Sequence, residues 1–297
     1  MEYGYIHEEI PIGTRIFTGD LGGSSSILVS DRNWEIFLPK YETQIGNGFD
    51  TLNCTNYALL NCMETYEKCV YGIIHDHADR FAAFVSGNTK IGNTFSKTAS
   101  AIKQFGVVPE KMWPKTVTII SWEAYMAKPD EIVFKEGEKS LELYDFDSMY
   151  VVPEPDILYE ALGHGPLRVA VHAWEKPVNG IYQRTEKMAN HAVMLFRGEY
   201  GKTFTIEDHY DQAGNSKKTL AWNFRFWAAQ LHTLEKKSMS RFKISKQEDG
   251  KGYALLCEAQ NEDELKTLCK VLGVELPIMD GKIEWSFVKH DSTYKNI

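Results

Sequence analysis

The sequence predicts an α+β fold, and three observations predict it. Residues 54–70 (CTNYALLNCMETYEKCV) contain neither Gly nor Pro and follow a Gly-bearing turn, so the first half opens on a long helix. LRVAVHA (167–173), HAVMLFRG (191–198) and KTFTIEDH (202–209) read as strands, the last two joined as a hairpin through Glu199-Tyr200-Gly201. Helical signals in the first half and strand signals in the second argue for segregated layers rather than alternating βαβ units. The tail adds a third pattern: RFKIS and YALLCEA as strands, 261–273 as a helix with Asn261 at its N-cap and Gly273 at its stop, and 278–285 as a hairpin around Asp280-Gly281. The expected organisation is a lead-in over 1–30, a main domain over 31–238 and a small C-terminal α+β module over 239–297.

Between these landmarks the elements follow local chemistry. Ile27-Leu28-Val29 is a short strand candidate, and 71–83 a short helical or irregular piece. Residues 86–96 (SGNTKIGNTFS) are a loop, since Gly, Asn, Ser and Thr all offer the backbone turn alternatives. Residues 98–105 form a short helix stopped by Gly106, with Pro109 and Pro114 beyond. Residues 115–160 hold one or two helices, ILYEALG (157–163) being the clearest.

Composition narrows the function. With 43% hydrophobic and 12% aromatic residues over 297 positions, the chain can bury a core. A net charge of −8 without a basic run argues against nucleic acid as a partner. No window approaches the length of a membrane span, and the N-terminus lacks the basic and apolar regions of a secretory signal. The five cysteines are scattered without CxxC, which predicts free thiols in a reducing compartment and no disulfide framework.

The chemistry gathers around residues 44–66. Cys54 stands where the helix begins, facing unpaired N–H groups and the positive end of the dipole, both of which favour a nucleophilic thiolate. A plainer reading exists: Cys54, Ala58, Cys62 and Cys69 share one helical face, and buried cysteines pack as small hydrophobes. For Cys62 and Cys69 core packing is the expectation. A thiol nucleophile needs a base and a group that holds the base. His191 opens one apolar strand and Asp208 ends the next, so adjacent antiparallel strands can bring them together. Gln44, upstream, can join the Cys54 N–H in donating to an oxyanion. His209 falls on the opposite strand face. His75-Asp76-His77, with Asp79, His164 or His172, has metal-ligand spacing but no second cluster; a solvated polar segment is expected, and no metal.

These residues resemble the papain-like cysteine peptidase family. Gln44, then Cys54-Thr55-Asn56-Tyr57-Ala58, is similar to its glutamine and Cys-x-x-Phe/Tyr-Ala helix start. Asn33-Trp34 resembles the family's Asp-Trp, SGNTKIG its Gly-rich cleft loop, and AIKQFGVVPEKMWP (101–114) its helix, Gly and Tyr-Pro segment. GPLRVAV (165–171) is similar to its Gly-Pro-x-x-Val-Ala strand, Asn179-Gly180-Ile181-Tyr182 to its Ser-Gly-x-Tyr, and Asn190-His191-Ala192-Val193 to the stretch around its histidine. The resemblance spans about 30–212, and the 137-residue gap from Cys54 to His191 lies within the family's range of about 130–150. Its look is nearest to bacteriophage-encoded members.

The resemblance implies a papain-like two-lobe fold and a hydrolase that cleaves peptide or amide bonds through an acyl-enzyme. Cys54 would be the nucleophile, His191 the acid/base, Asp208 the orienting group and Gln44 the oxyanion donor. It implies no cofactor, a protein or peptide substrate, and a cytoplasmic or virion-associated setting. Alternatives are a cell-wall amidase or endopeptidase on the same fold, or an inactive structural or binding protein. Four departures stand out. Glu207-Asp208-His209-Tyr210 replaces the family's Lys-Asn-Ser-Trp, putting a second negative charge near the site and removing its shielding tryptophan, for which Trp222 and Trp227 are the candidates. Gln44 lies ten residues before Cys54, further than the family's spacing. The Cys-Gly-Ser-Cys motif is absent, and the stretch before Trp34 is short for an inhibitory propeptide.

Overall fold

The computed structural model describes residues 4–19, 27–46, 48–116, 118–210 and 215–237, together with the strands at 242–246 and 253–257. By its contacts the chain divides into two compact units, Met1–Lys236 and Lys237–Ile297.

In the first unit β1 (Ile16–Phe17) is followed by the small hairpin of β2 (Ile45–Gly46) and β3 (Phe49–Asp50), then by the helices α1 (Cys54–Tyr71), α2 (Asp79–Val85), α3 (Phe95–Phe105), α4 (Trp122–Tyr125) and α5 (Glu131–Leu143). The second half runs β4 (Tyr144–Val151), α6 (Pro155–Ala161), β5 (Leu167–Val171), β6 (Ile181–Tyr182), β7 (His191–Glu199), β8 (Thr203–Glu207), β9 (Lys217–Ala221) and β10 (Ala228–Lys236). Eight strands form one sheet in the order β1-β4-β10-β5-β7-β8-β9-β6, mostly antiparallel. Helices α2–α5 are gathered in one lobe and the sheet, with α6 packed against it, in the other, so the chain has a papain-like two-lobe α+β fold.

Helix α1 lies against β5, β7 and β10 and joins the lobes. It ends at Gly72, whose φ of 66° supplies the left-handed cap that a side chain would resist. Its Cys62 packs among Val169, Val193, Leu195 and Leu231, with Cys69 against the same cluster. Burial pushes the Cys62 thiol well up, as befits a packing residue. Arg168 on β5 fastens the lobes: fully buried, it donates to Thr55 O of α1 at 3.2 Å and to Phe95 O of α3 at 2.9 Å, bonds Gln230 of β10, and covers the Phe95 ring at 4.1 Å. Trp34, also fully buried, donates from its indole to Leu162 O at 2.7 Å.

Two departures from expectation have physical reasons. Residues 27–29 form no strand; the Leu28 and Val29 N–H groups both donate to Gly163 O instead. Strand β4, where only helices are expected, pairs antiparallel with all but one residue of β10. Its Asp147 turns outward to Arg15 and Lys103, at 2.5 and 2.8 Å, but the alternation breaks at Ser148, which hides the strand's pattern.

In the second unit β11 (Phe242–Lys246) and β12 (Tyr253–Cys257) pair antiparallel, Phe242 opposite Cys257. The helix expected at 261–273 and the hairpin at 278–285 lie outside the described residues. Among the described residues no helix is long and apolar enough to cross a membrane.

Candidate active site

Asn53 holds the entrance of α1. Its carbonyl accepts from the Asn56 and Tyr57 N–H groups, and its side chain donates to Tyr125 Oη at 2.9 Å and Asp79 O at 3.2 Å. Leu52 just before it adopts a φ of 48°, left-handed and strained for leucine, with its N–H donated to Asp50 Oδ1 at 2.8 Å. Cys54 is thereby placed in the first turn of an eighteen-residue helix, fully buried.

The sheet delivers the partners. Pairing of β5 with β7 sets Val171 opposite His191, and pairing of β7 with β8 sets Met194 opposite Glu207, the residue before Asp208. His191 Nε2 donates to Asp208 Oδ1 at 2.8 Å, and the Cys54 side chain is the imidazole's other hydrogen-bond partner. Burial alone would lower His191; the Asp208 charge and hydrogen bond, then Cys54, outweigh it and push its pKa up to about 10. Burial likewise opposes ionised Asp208, but the His191 charge and hydrogen bond, Lys218 and the Tyr210 N–H hold its carboxyl well below the usual range.

Two members of this site have no counterpart in the sequence reading. Trp174, in the loop after β5, donates Nε1–H to Asp208 Oδ2 at 2.6 Å and sets its ring edge-on to His191 at 6.3 Å. Lys218 of β9, 5% exposed, reaches the same oxygen at 3.0 Å and lies 5.4 Å over the Trp174 ring. Lys218 sets a cation against the second negative charge, and the Trp174 ring lies against the His191–Asp208 pair. Trp222 and Trp227 stand elsewhere: Trp222 stacks on Phe204 at 4.7 Å, and the Trp227 indole donates to Lys187 O under Arg225. Trp174→Phe keeps the ring and removes the N–H. It is expected to lower stability by about 1.5–3 kcal/mol, the worth of a hydrogen bond to a charged group, read from the urea midpoint. An unchanged midpoint would show that Asp208 does not depend on the indole.

The β2–β3 hairpin explains the long spacing of Gln44. Ile45 pairs with Asp50, and Thr51 donates both N–H and Oγ1–H back to Gln44 O at 3.4 and 2.9 Å, so the extra residues loop out and Gln44 stands opposite Thr51. Its Nε2 donates to Asp50 Oδ1 at 3.2 Å, while Asp50 Oδ2 accepts from Tyr210 Oη at 2.5 Å. The Tyr210 ring in turn meets His191 edge-on at 5.9 Å. His209 faces away, stacked with Tyr41 and Tyr57, its Nδ1 donating to Glu42 O at 3.0 Å. Burial pulls it down to about 4, so it is neutral at physiological pH.

A segment of the chain itself lies along this site. Asn93 N–H donates to Gly4 O, Ile6 N–H to Asn93 O and Tyr5 N–H to Asn190 O, the carbonyl next to His191, at 2.9, 2.9 and 3.1 Å. Tyr5 packs in the same buried cluster as Cys54, Ala58 and Ala192. Only glycine fits at two of these contacts: a Cβ on Gly4 would fall 2.5 Å from Leu52 O, and one on Gly92 1.8 Å from Gly4 O.

Searched by sequence, the chain matches no family model and no curated protein. Its fold does match solved structures. It is similar to xylellain, a cysteine protease from Xylella fastidiosa, at 14% identity and TM-score 0.59, over 80% of this chain and 96% of that one. Digestive procathepsin L 3 from Tenebrio molitor larval midgut is similar at 12% identity and TM-score 0.51, over 74% and 73%. The cysteine protease and lectin-like domains of a surface layer associated protein from Clostridium difficile are similar at 12% identity and TM-score 0.53, over 71% of this chain and 52% of that one. At these identities the likeness is one of architecture: the chain shares the fold of papain-like cysteine proteases.

Proposed function

We propose that the chain is a cysteine peptidase that hydrolyses peptide bonds through an acyl-enzyme. The continuous line from Cys54 through His191 to Asp208, closed by Trp174 and Lys218, carries the reading. In it the Cys54 sulfur attacks the substrate carbonyl carbon while His191 holds the proton. Negative charge develops on the carbonyl oxygen, facing the Cys54 backbone N–H and the second N–H of the Gln44 amide, the first being held by Asp50. Collapse breaks the C–N bond as His191 protonates the leaving amine. Neutral His191 then takes a proton from water, whose oxygen attacks the thioester, and the thiolate leaves. Asp208 keeps the imidazole oriented and stabilises its protonated form.

An extended peptide is the ligand class the cleft favours, because residues 4–6 already make backbone hydrogen bonds to Asn93 and Asn190 beside Cys54. The nearness in look to bacteriophage-encoded members adds virion or host-wall peptides as settings for the same chemistry. The test is turnover of a mixed peptide library followed by mass spectrometry, with Cys54→Ala as the control. Cleavage that survives in Cys54→Ala, or no cleavage by any form of the chain, would overturn the proposal.

The segment at 4–8 also has to move aside for substrate. Glu8 latches it: its carboxylate accepts from Ser96 N–H at the start of α3 at 2.7 Å, from the Ser96 hydroxyl, and from Tyr150 Oη at 2.8 Å. Glu8→Ala removes all three, and even one hydrogen bond to a charged group, about 1.5–3 kcal/mol, raises the open fraction roughly 10–100-fold. Glu8→Ala is therefore expected to raise kcat/KM on a short peptide by about tenfold or more on the same arithmetic. A lower or unchanged value would show that the segment does not limit access.

A further inference from the structure

The third and fourth turns of α1 carry a second cluster that the peptidase reading does not use. Glu67, its side chain 1% exposed, presents one oxygen, Oε2, to two imidazoles: His75 Nδ1 at 3.0 Å and His77 Nε2 at 2.9 Å. All three donor atoms lie within 4.8 Å of one another. The cluster is held in place from outside. His77 N–H donates to Glu64 Oε1 at 2.7 Å, Ala78 N–H to Val108 O at 2.8 Å, and Glu110 N–H to Asp76 O at 2.7 Å, so the connection from α1 to α2 is pinned as a short extended piece. Of the groups weighed in the sequence, Asp79, His164 and His172 take no part: the Asp79 carbonyl accepts from Asn53, His164 lies against Phe17, and His172 Nδ1 donates to Met188 O. The third ligand comes from the helix instead.

We propose that Glu67, His75 and His77 form a binding site for a divalent transition metal of the zinc class. Two imidazole nitrogens and one carboxylate oxygen are the donor set such ions take, whereas calcium and magnesium prefer oxygen alone. The distances suit it. Metal–ligand bonds of about 2.0–2.1 Å in a tetrahedron place donors about 3.3 Å apart. The two oxygen–nitrogen separations therefore need to open by only a few tenths of an ångström. The remaining adjustment falls on His75, whose side chain is 35% exposed and free to swing toward His77. Binding moves the proton of each neutral ring from the coordinating nitrogen to the other one, and an imidazolium would release one proton. The fourth position faces a cavity of about 480 Å³ that Glu67, His75 and His77 share with Met63, Ile102 and Phe146. Thirteen residues of helix separate Glu67 from Cys54, about 20 Å at 1.5 Å per residue. The metal therefore clamps the connection between α1 and α2 rather than touching the substrate.

The test uses the full chain with Cys54 first alkylated by iodoacetamide, so that the thiol cannot ligate, and stripped by a chelator. Cobalt chloride is then added while the visible absorption is read, and zinc chloride while the melting temperature is read. One equivalent of cobalt should give the intense bands of a tetrahedral site. Zinc at a hundredfold excess over its dissociation constant should raise Tm by about 5–10 °C. His75→Ala removes a half-exposed ring with little effect on the metal-free melting temperature, and should weaken binding by more than about 100-fold, beyond the loss typical of a supporting partner. Glu67→Gln should behave likewise. No saturable cobalt band, or a band unchanged in His75→Ala, would overturn the proposal, because binding would then be absent or located elsewhere.

Discussion

Asp208→Asn is expected to destabilise this chain strongly, although asparagine stands at the matching place in the peptidases it resembles. The reason is the company Asp208 keeps. Its Oδ1 accepts from His191 Nε2 and Tyr210 N–H at 2.8 and 2.9 Å, and its Oδ2 from Trp174 Nε1 and Lys218 Nζ at 2.6 and 3.0 Å. An amide can keep the first pair through its oxygen. Its NH2 group then confronts the Trp174 N–H and the Lys218 ammonium, three donors with no acceptor among them. A buried cation stripped of its anion costs about 3–5 kcal/mol. The double variant Asp208→Asn with Lys218→Met removes the stranded charge. It should recover a large part of the loss, so a cycle of urea unfolding free energies should show coupling of about 2 kcal/mol or more between the two positions. Additive effects would mean that Lys218 is not the partner the distances indicate.

The same substitution carries a pH signature. His191 is raised above its unfolded value, so its contribution to stability is complete below about 6.5 and disappears as pH rises through about 10. Asp208 is its largest upward influence. With that charge gone, the alkaline limb of peptide cleavage, which needs protonated His191 for the leaving amine, should move down by about one pH unit or more, the usual effect of one neighbouring charge. Asp208 has the opposite sign: its carboxyl is depressed, so its contribution is present above about 3.9 and is lost as pH falls.

What the sequence discloses and what it hides follow from how far each interaction reaches along the chain. The start of α1 at Cys54 is local chemistry, a turn followed by uninterrupted helix formers, and it is legible. So are β5, β7 and β8, whose apolar runs and hairpin turn need no partner to be recognised. Strand β4 is hidden because the alternation of Tyr144-Asp145-Phe146-Asp147 lasts only four residues, breaks at Ser148 and gives way to the continuous apolar run Met149-Tyr150-Val151. Trp174 and Lys218 are hidden for a different reason. Each reaches Asp208 only once the sheet register is set, and their separations from it, 34 and 10 residues, match no short motif. A signal for Trp174 did exist: with Val171 opposite His191, residues just past the end of β5 must flank the imidazole. Glu67 is the parallel case at the second cluster. His75 and His77 announce themselves by spacing, but their third partner lies back on a helix, a turn and more before them.

His191→Ala, which leaves the nucleophile in place, is expected to remove nearly all of the activity. The imidazole is fully buried and hydrogen-bonds both Asp208 and Cys54. Removing it leaves Cys54 without the proton acceptor and cation that the proposed reaction requires. Thiolate is the form that iodoacetamide attacks, so alkylation of Cys54 at pH 5.5 should slow strongly in the variant, which lacks the imidazolium beside the sulfur. Peptide cleavage should fall further, because the same group also protonates the leaving amine and deprotonates water; loss of either function alone is worth about 10²–10⁴. Peptide mass spectrometry after alkylation across pH 4–9 reads each cysteine separately, with Cys62, whose thiol burial pushes well up, as an internal reference that should not react in either protein. The variant also leaves Asp208 facing Lys218 without the imidazolium, which keeps one cation at the carboxylate and limits the loss of folding. A wild-type Cys54 that reacts no faster at pH 5.5 than Cys62 would mean that the geometry does not activate the thiol. The chain would then be a papain-like scaffold without the chemistry.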